Sequence, residues 1–361
     1  MRLFQNSALY RGYLPRLRRL TRGLSSFEEL RDAFLGDRFG APHFLSPVLE
    51  GKAEAFFTNG DDPDLQGAWA AAKGLPRTTA LEDILLAQIE DHRTEVFYNL
   101  DPVRYPTAFL QRLPSCVRRK VAWRAAPLAG ADLAGYDLVV SNFPEILGRW
   151  RDLGLRTGEL FPAHDPVLDD YATQTDRPID VLFVGGYTRH HRRRAEVLES
   201  VAALQGAHSV VYCLDRSRLT RIAETPVGLL PPLNSHRRPA GIRRISREPV
   251  YGRDLYATLA SARVVINCAI DMAGGGRGNM RCFETMGAGA LLVSDAGDYP
   301  PGMTPDETLL TYESPEQARE QVEVALSNPT TASTLARRGY ELVAGRYSKK
   351  NQYDRFVALT S

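Results

Sequence analysis

The fold of this chain is decided by residues 263–295, which read RVVINCAIDMAGGGRGNMRCFETMGAGALLVSD. Residues 264–267 form a short apolar run rich in β-branched side chains, which predicts a buried strand. A loop with four glycines follows, and Asn279 then stands where a helix over residues 280–286 needs an N-cap. Residues 290–294 predict a second buried strand. Strand, glycine loop, helix and strand in this order predict a βαβ unit.

The glycine loop and the first turn of this helix are suited to binding an anion. Gly275 and Gly276 have no Cβ, so the backbone can come close to a ligand. The free N–H groups and the dipole of a helix N-terminus favour negative charge, and the guanidinium groups of Arg277 and Arg281 can bind phosphate oxygens. Glu284 lies one turn further on, where its carboxylate can accept hydrogen bonds from a ribose diol.

These residues predict a site for a nucleotide diphosphate. Its binding residues are Gly275, Gly276, Arg277, Asn279, Arg281 and Glu284. A solvated surface turn, in which Glu284 only complements the helix dipole, is the structural alternative.

Residues 279–295 resemble the donor-binding segment of the GT-B glycosyltransferases. They are most similar to the R-x-F-E-x-x-A-x-G signature of the group 1 and spore-maturation-type (CgeB-like) families, with Arg281 and Glu284 at matching positions. The resemblance extends over residues 178–361 and implies that Glu284 binds the ribose of a nucleotide-sugar donor. Many group 1 enzymes have another glutamate eight residues earlier that contacts the donor sugar. This chain has Gly276 there, which leaves the sugar open.

The composition is that of a globular protein with two domains. A length of 361 residues suits two domains of ordinary size, and 43% hydrophobic residues are enough for two cores. The net charge of +2 does not indicate a nucleic-acid partner. The four cysteines form no C-x-x-C pair, and no apolar run approaches the roughly 18 residues of a membrane span. These features predict a cytoplasmic protein without a signal peptide.

Strands alternate with helices along both halves of the sequence. The strands predicted in the first half are residues 2–5, 53–58, 95–99, 117–123 and 136–141, and residues 160–166 predict a last strand with the loop that follows it. A second series begins at residues 179–185. The alternation predicts an α/β protein with two Rossmann-like, doubly wound parallel sheets, and in the GT-B fold these face a cleft.

Three segments are expected from this alternation and from the resemblance. They are an N-terminal acceptor-side domain over residues 1–168, a nucleotide-sugar-binding domain over residues 178–345, and a C-terminal helix over residues 346–361 that crosses back to the first domain.

Polar residues follow the predicted strands of the first half. Open α/β sheets bind ligands at the carboxyl ends of their strands, so Asp61, Asp101 and His164 are candidates for a catalytic base. Asp62 is a further candidate. The sequence Asn-Gly-Asp-Asp-Pro around Asp61 is also rich in turn-forming residues, and a structural role is open for each of these side chains.

The second series of strands contributes further binding candidates. The strand over residues 179–185 ends at Gly185 and is followed by Gly186, and Arg189 is the first of a cluster of arginines before the next helix. A helix N-terminus disfavours cations, so the cluster indicates either a bound anion or a solvated basic face. Residues 215–249 predict a long irregular loop. Tyr251 follows it, and its ring could stack on a nucleotide base or pack beside a helix.

Basic residues are also concentrated near the N-terminus. Residues 13–22 contain Arg16, Arg18, Arg19 and Arg22, with leucines at helical spacing between them. A basic amphipathic helix can lie on an acidic membrane surface, and it can equally be a solvated helix whose leucines face the core. Peripheral contact with the inner face of the membrane is therefore left open.

The predicted activity is transfer of a sugar from a nucleotide-diphosphate donor, UDP- or GDP-linked, to an acceptor hydroxyl. No convincing D-x-D motif stands at a strand end, and arginines with a helix N-terminus can stabilise the leaving diphosphate. Arg281 is therefore also a catalytic candidate, and neither a metal nor another cofactor is expected. The resemblance to group 1 implies retention of the anomeric configuration.

The acceptor and two alternative functions stay open at this point. The acceptor can be a glycan, a lipid-linked molecule or a small molecule. One alternative is a nucleotide-sugar epimerase on the same scaffold. The other is a non-catalytic nucleotide-sugar-binding protein, which Gly276 in place of a glutamate favours.

Overall fold

The structure is a computed structural model that describes residues 1–127, 130–188, 191–269 and 274–361. Internal contacts divide these residues into two compact units. The first unit consists of residues 1–163, 274–276 and 347–361. The second consists of residues 164–269 and 277–346.

The first unit is built on a parallel sheet. Its strands in the described residues are β1 (Leu3–Ser7), β2 (Ala55–Asn59), β3 (Val96–Asn99), β4 (Arg119–Trp123), β5 (Leu138–Ser141) and β6 (Thr157–Glu159). The helices up to this point of the chain are α1 (Leu14–Leu20), α2 (Phe27–Asp37), α3 (Ser46–Leu49), α4 (Pro63–Ala72), α5 (Leu81–Asp91), α6 (Thr107–Leu110) and α7 (Pro144–Asp152). The strand order β2-β1-β3-β4-β5-β6 places β1 inside the sheet.

Strand β1 is longer than predicted because a polar residue near its end has buried partners. Nδ2 of Asn6 donates to Oδ1 of Asn99 (2.9 Å), and Oδ1 of Asn6 accepts from the backbone N–H of Gly60 (2.8 Å). These bonds satisfy an amide that would otherwise favour a turn. The last strand of this sheet was predicted within residues 160–166, and that position is wrong, since β6 ends just before residue 160.

The second unit is built on another parallel sheet. Its strands in the described residues are β7 (Ile179–Gly186), β8 (Val210–Asp215), β9 (Ser246–Arg247), β10 (Ala262–Ile266), β11 (Leu291–Asp295) and β12 (Leu310–Tyr312). Its helices are α8 (Leu168–Ala172), α9 (Arg192–Ala202), α10 (Arg218–Ala223), α11 (Ala240–Ile245), α12 (Gly252–Ala260), α13 (Met280–Gly287), α14 (Pro315–Ser327) and α15 (Pro329–Arg346). The strand order is β12-β11-β10-β7-β8-β9.

Both faces of the second sheet are covered by helices. Val181 and Phe183 of β7 lie in a core formed with α9 and α14, whereas Leu182 between them lies in a separate core formed with α12. Burial on both faces explains why this strand reads as a continuous apolar run. The two doubly wound parallel sheets confirm the predicted α/β class with two Rossmann-like domains.

The last helix, α16 (Lys349–Thr360), belongs to the first unit. The ring of Phe356 packs against Tyr98 of β3, with centroids 4.9 Å apart. Nζ of the buried Lys349 donates to the backbone carbonyl of Phe44 (2.8 Å). Helix α16 therefore packs against the first sheet and is part of the folded core of the first unit.

Residues 215–249 are more ordered than predicted. They form α10, two short 3-10 turns, α11 and the edge strand β9. Ile242 and Ile245 of α11 are buried in the core of the second unit, and Arg238 pairs with Glu224 (2.9 Å). Helices of one or two turns contain too few apolar positions to give a periodic signal, which is why the sequence pattern missed them.

Candidate functional site

Helix α13 begins at the carboxyl edge of the second sheet. It connects β10 to the parallel strand β11, so it runs back across the sheet and its N-terminus faces the edge where both strands end. Open α/β sheets bind ligands at this edge. The N-terminus of α13, where the sequence predicts an anion site, therefore lies at the ligand-binding edge of the sheet.

Asn279 stands at the N-cap of α13 but does not cap it with its side chain. Its Nδ2 donates to Oδ1 of Asn267 (3.3 Å), whose own Nδ2 donates to Oγ of Ser294 (2.9 Å). The predicted N-cap position of Asn279 is therefore confirmed, but the ends of β10 and β11 offer its side chain a competing polar partner. The side chain of Asn279 therefore accepts no hydrogen bond from the backbone N–H groups in the first turn of α13.

Arg277 lies against a carboxylate that the sequence analysis did not connect with it. Its Nε is 2.5 Å from Oδ2 of Asp295 at the end of β11, and both side chains are almost fully buried. Asp295 also accepts a hydrogen bond from the backbone N–H of Ala269 (2.9 Å). The guanidinium of Arg277 is thus fixed on the sheet edge, and any phosphate that binds it shares it with Asp295.

Glu284 and Arg281 form an ion pair on α13. Nη1 of Arg281 donates to Oε2 of Glu284 (2.7 Å), and the Glu284 side chain is 2% exposed while that of Arg281 is 19% exposed. Burial raises the pKa of Glu284, and the neighbouring guanidinium opposes that rise. The arginine is therefore positioned to keep a buried carboxylate charged.

A second acidic residue lies close to this pair. Asp165 is buried, and its charge adds to the rise in the pKa of Glu284. Oδ2 of Asp165 accepts from the hydroxyl of Tyr256 (3.2 Å), and Oδ1 accepts from the backbone N–H of Val167 (3.2 Å). Sequence reasoning selected the preceding residue, His164, and missed Asp165.

His164 is packed underneath α13. Its Nε2 lies 2.7 Å from Oδ1 of Asp169, which also accepts from the hydroxyl of Tyr340 (2.8 Å). The imidazole is 4% exposed. A Cβ at Gly287, near the end of α13, would lie only 2.9 Å from Nδ1 of His164. Because His164 packs this closely against Gly287, it helps to position α13. Its role as a catalytic base stays a prediction.

The glycine loop binds a carboxylate from its own chain. The backbone N–H of Gly275 donates to Oε1 of Glu145 in the first turn of α7 (2.8 Å), and the first unit contains both residues. A Cβ at Gly274 would overlap the same carboxylate, and the backbone φ there is +56°. Glycine is therefore required at residue 274, and the loop has an N–H group directed at an anion. Sequence reasoning missed Glu145, which has no motif around it.

Asp61 and Asp101 are brought together at the carboxyl edge of the first sheet. Nε of Arg104 donates to Oδ2 of Asp101 (2.9 Å), and its Nη2 donates to Oδ2 of Asp61 (3.4 Å). Burial raises the pKa of Asp61, and a hydrogen bond from the backbone N–H of Leu9 lowers it. Asp62 instead forms the N-cap of α4. The cluster thus contains two of the predicted catalytic acids, and Arg104, which links them, was missed.

The other predicted binding residues lie around β7 and β8. Gly185 and Gly186 pair in register with Leu214 and Asp215, so β7 extends one residue beyond the strand predicted over residues 179–185. The hydroxyl of Tyr251 donates to Oδ1 of Asp215 (3.2 Å). Arg189 lies outside the described residues. The nucleotide-binding roles of these residues stay predictions.

The described residues contain no group of three or more His, Cys, Asp or Glu side chains arranged to hold a metal ion. Within the same ranges, no helix is both long enough and apolar enough to cross a membrane.

The comparison with protein families gives one match. The family described as "Glycosyl transferase-like" matches residues 189–358, which include α13 and the glycine loop before it. The match confirms the glycosyltransferase resemblance of the C-terminal half, and the CgeB-like subtype stays a prediction. No curated protein is similar enough in sequence to count as a relative.

Solved structures of the same architecture cover almost the whole chain. A glycosyltransferase from Rickettsia africae ESF-5 is 12% identical, with a TM-score of 0.56 over 99% of this chain and 97% of its own. HepE from Anabaena, solved with UDP, is 11% identical, with a TM-score of 0.58 over 99% of each chain. Sucrose-phosphate synthase from Thermosynechococcus elongatus is 13% identical, with a TM-score of 0.52 over 99% and 97%. At these identities the likeness establishes the GT-B fold.

Proposed function

We propose that this chain, which has the GT-B fold and a glycosyl transferase-like C-terminal half, transfers a sugar from a nucleotide-diphosphate donor to an acceptor hydroxyl. The observation that carries the proposal is the buried Arg281–Glu284 pair on α13, whose N-terminus lies at the carboxyl edge of the second sheet. A site of this kind offers N–H groups and a guanidinium to a diphosphate, and a carboxylate to the adjoining pentose.

The donor is proposed to be a UDP-sugar. HepE has been solved with UDP and with UDP-glucose, which makes uridine the first base to test. In this proposal the diphosphate binds at the N-terminus of α13 and Arg281, and Glu284 accepts from the ribose hydroxyls. Two charge-assisted bonds to the ribose would contribute roughly 1.5–3 kcal/mol each.

We further propose that departure of the diphosphate is stabilised by protein cations without a metal. Arg281 and the first-turn N–H groups of α13 have the charge and direction that a developing oxyanion requires. We propose a mechanism with retention of configuration, because the resemblance to group 1 favours it. Such a mechanism needs no strong base. Should the reaction invert, the base would come from the cluster of Asp61 and Asp101.

That cluster has features of both a base and a structural element. Arg104 contacts both carboxylates. Burial raises the pKa of Asp61, and the charge of Arg104 opposes that rise. The acceptor is proposed to be a glycan, a lipid-linked molecule or a small molecule that reaches these residues in the first unit.

One experiment separates the transferase from the two alternatives. The purified protein is screened by thermal shift against UDP, GDP, UDP-glucose and related nucleotide sugars. The best ligand is then incubated with the protein and released nucleotide, transferred sugar and epimerised sugar are measured. A transferase or slow hydrolase releases the nucleotide diphosphate. An epimerase changes the sugar without releasing it, and a binding protein gives a dissociation constant and no product.

Two glutamate variants form a matched pair. Glu284→Gln keeps the side-chain volume, and it should weaken binding of the nucleotide diphosphate. Glu316→Gln makes the same change at an exposed glutamate in the first turn of α14, and it should leave binding unchanged. If no nucleotide raises the melting temperature of the wild-type protein, the proposed donor site is wrong.

A further inference from the structure

Positive charge is concentrated in one short segment of the first unit. Residues 8–27 contain five arginines and no acidic residue. The rest of the chain has 40 basic and 43 acidic residues, a net charge of −3, although the whole chain carries +2. The segment therefore differs in sign from the remainder of the protein, and it includes all of α1.

Helix α1 is attached to the first unit along one face. Leu17 is buried, and Nη2 of Arg16 pairs with Oδ1 of the buried Asp37 on α2 (2.6 Å). The hydroxyl of the buried Tyr13 donates to Oδ2 of the same carboxylate (2.9 Å). Since a buried carboxylate is costly to leave unpaired, these contacts fix which face of α1 is directed outward.

The outward surface is both cationic and apolar. Its arginines are Arg11, Arg18, Arg19 and Arg22, which are all exposed. Within the described part of the chain, none of the four forms an ion pair with a carboxylate. Leu20 is 39% exposed and Tyr10 is 50% exposed on the same segment. The nearest acidic residues in sequence, Glu28 and Glu29, belong to the first turn of α2, where Glu29 completes a capping box with Ser26.

We propose that this surface, residues 10–22, docks the protein on a membrane that contains anionic lipids. Four exposed guanidinium groups match the phosphates of an anionic lipid layer, and arginine side chains near such a surface are attracted to it. Leu20 and Tyr10 can enter the boundary between headgroups and acyl chains. A nucleic acid would satisfy the arginines but would gain little from an exposed leucine, which is why a lipid surface is the partner that fits.

The proposal stands apart from the proposed transferase activity. It needs only the charge, the exposure and the anchoring of α1, and it can be tested on protein without any donor. It also brings the first unit, with Asp61 and Asp101, to a lipid layer. A lipid-linked acceptor would then be met by diffusion in two dimensions.

The test is co-sedimentation of the full chain with vesicles. One set contains phosphatidylcholine mixed with phosphatidylglycerol, and the other contains phosphatidylcholine alone. The variant R18E/R19E/R22E changes exposed residues and should keep the wild-type melting temperature. The matched control, R77E/R118E/R319E, makes the same charge change at exposed arginines elsewhere.

The wild-type protein and the control should bind the mixed vesicles with equal affinity and should not bind phosphatidylcholine alone. R18E/R19E/R22E should lose at least a factor of about 10 in the partition coefficient, because each basic residue near an anionic surface contributes roughly fivefold. Wild-type binding should also weaken as ionic strength rises. A variant with Leu20→Ser should bind more weakly than wild type at high salt.

Three outcomes would overturn the proposal. One is equal binding to both kinds of vesicle, and another is undiminished binding of R18E/R19E/R22E. The third is tighter binding to an RNA or DNA duplex than to the mixed vesicles at the same ionic strength, which would assign the surface to nucleic acid. None of these outcomes bears on nucleotide-sugar turnover, so the docking surface and the transferase proposal can fail separately.

Discussion

Glu284 and Arg281 are held 2.7 Å apart on the same face of α13, and the carboxylate is 2% exposed. A carboxylate that is this deeply buried is stable in its charged form only because the guanidinium neutralises it. The two side chains therefore act as a unit, and a change in either is expected to alter both the stability of the fold and the binding of a nucleotide.

Replacing Arg281 by Met should destabilise the protein more at high pH than at low pH. Burial raises the pKa of Glu284 and Arg281 lowers it, so loss of the arginine raises that pKa further. When the folded-state pKa lies above the unfolded value, the folded protein binds more protons, and stability falls as pH rises through the folded pKa. We expect a loss of roughly 3 kcal/mol in the free energy of unfolding near pH 8, and a smaller loss near pH 5, by urea denaturation.

The double variant R281M/E284Q is the control for this pH dependence. It removes the titrating group together with its partner, so the difference between the two pH values should disappear. A double-mutant cycle then gives the coupling energy of the pair. Equal destabilisation of R281M at both pH values would mean that Glu284 does not titrate as inferred.

Glu284→Gln should weaken binding of the nucleotide diphosphate by about fivefold or more. A carboxylate accepts stronger hydrogen bonds from ribose hydroxyls than a neutral amide does, by roughly 1 kcal/mol. Titration calorimetry with UDP and GDP measures the change. Unaltered affinity for both nucleotides would remove Glu284 from the binding site, and the Gln variant keeps the volume that a buried position needs.

Gly287→Ala should destabilise the protein by about 1–3 kcal/mol through overpacking. A Cβ there would meet Cδ1 of Leu168 at 2.8 Å and Nδ1 of His164 at 2.9 Å. Gly67→Ala is the control, since Gly67 lies inside α4 with open space around it. That substitution should stabilise the protein by about 0.5–1 kcal/mol. If both variants melt at the wild-type temperature, α13 is not packed against His164 as described.

Activity should be unchanged in excess chelator. The proposed charge neutralisation comes from Arg281 and the N-terminus of α13 and needs no divalent ion. Product formation is measured after dialysis against chelator, and again after addition of magnesium or manganese. Activity that disappears in chelator and returns with manganese would replace this mechanism with a metal-assisted one.

The second sheet could be predicted because its central strands are apolar on both faces. In β7 the buried Val181, Leu182 and Phe183 follow one another without a polar break, which is typical of a parallel sheet covered by helices. The ion pair of Arg281 and Glu284 is also visible in the sequence as an i, i+3 spacing. Its burial is not, because that depends on the helices and strands packed around α13.

Contacts between distant parts of the chain could not be predicted in the same way. Arg277 meets Asp295 at the end of β11, and Gly275 meets Glu145 on α7. Nothing in the local sequence of Asp295 or Glu145 distinguishes it from the other acidic residues of the chain. The same holds for Asn6, whose local preference is a turn and whose buried partners come from β3 and the residue after β2.

The carboxylate of Asp37, which binds both Tyr13 and Arg16, has a consequence for how the N-terminal arginines meet their partner. A flexible basic tail loses conformational entropy when it becomes ordered on a surface. Helix α1 is already immobilised, so its outward side chains approach as a fixed array and little further ordering is required. Asp37→Ala would release that array, and the protein would then retain every surface charge while adhering more weakly.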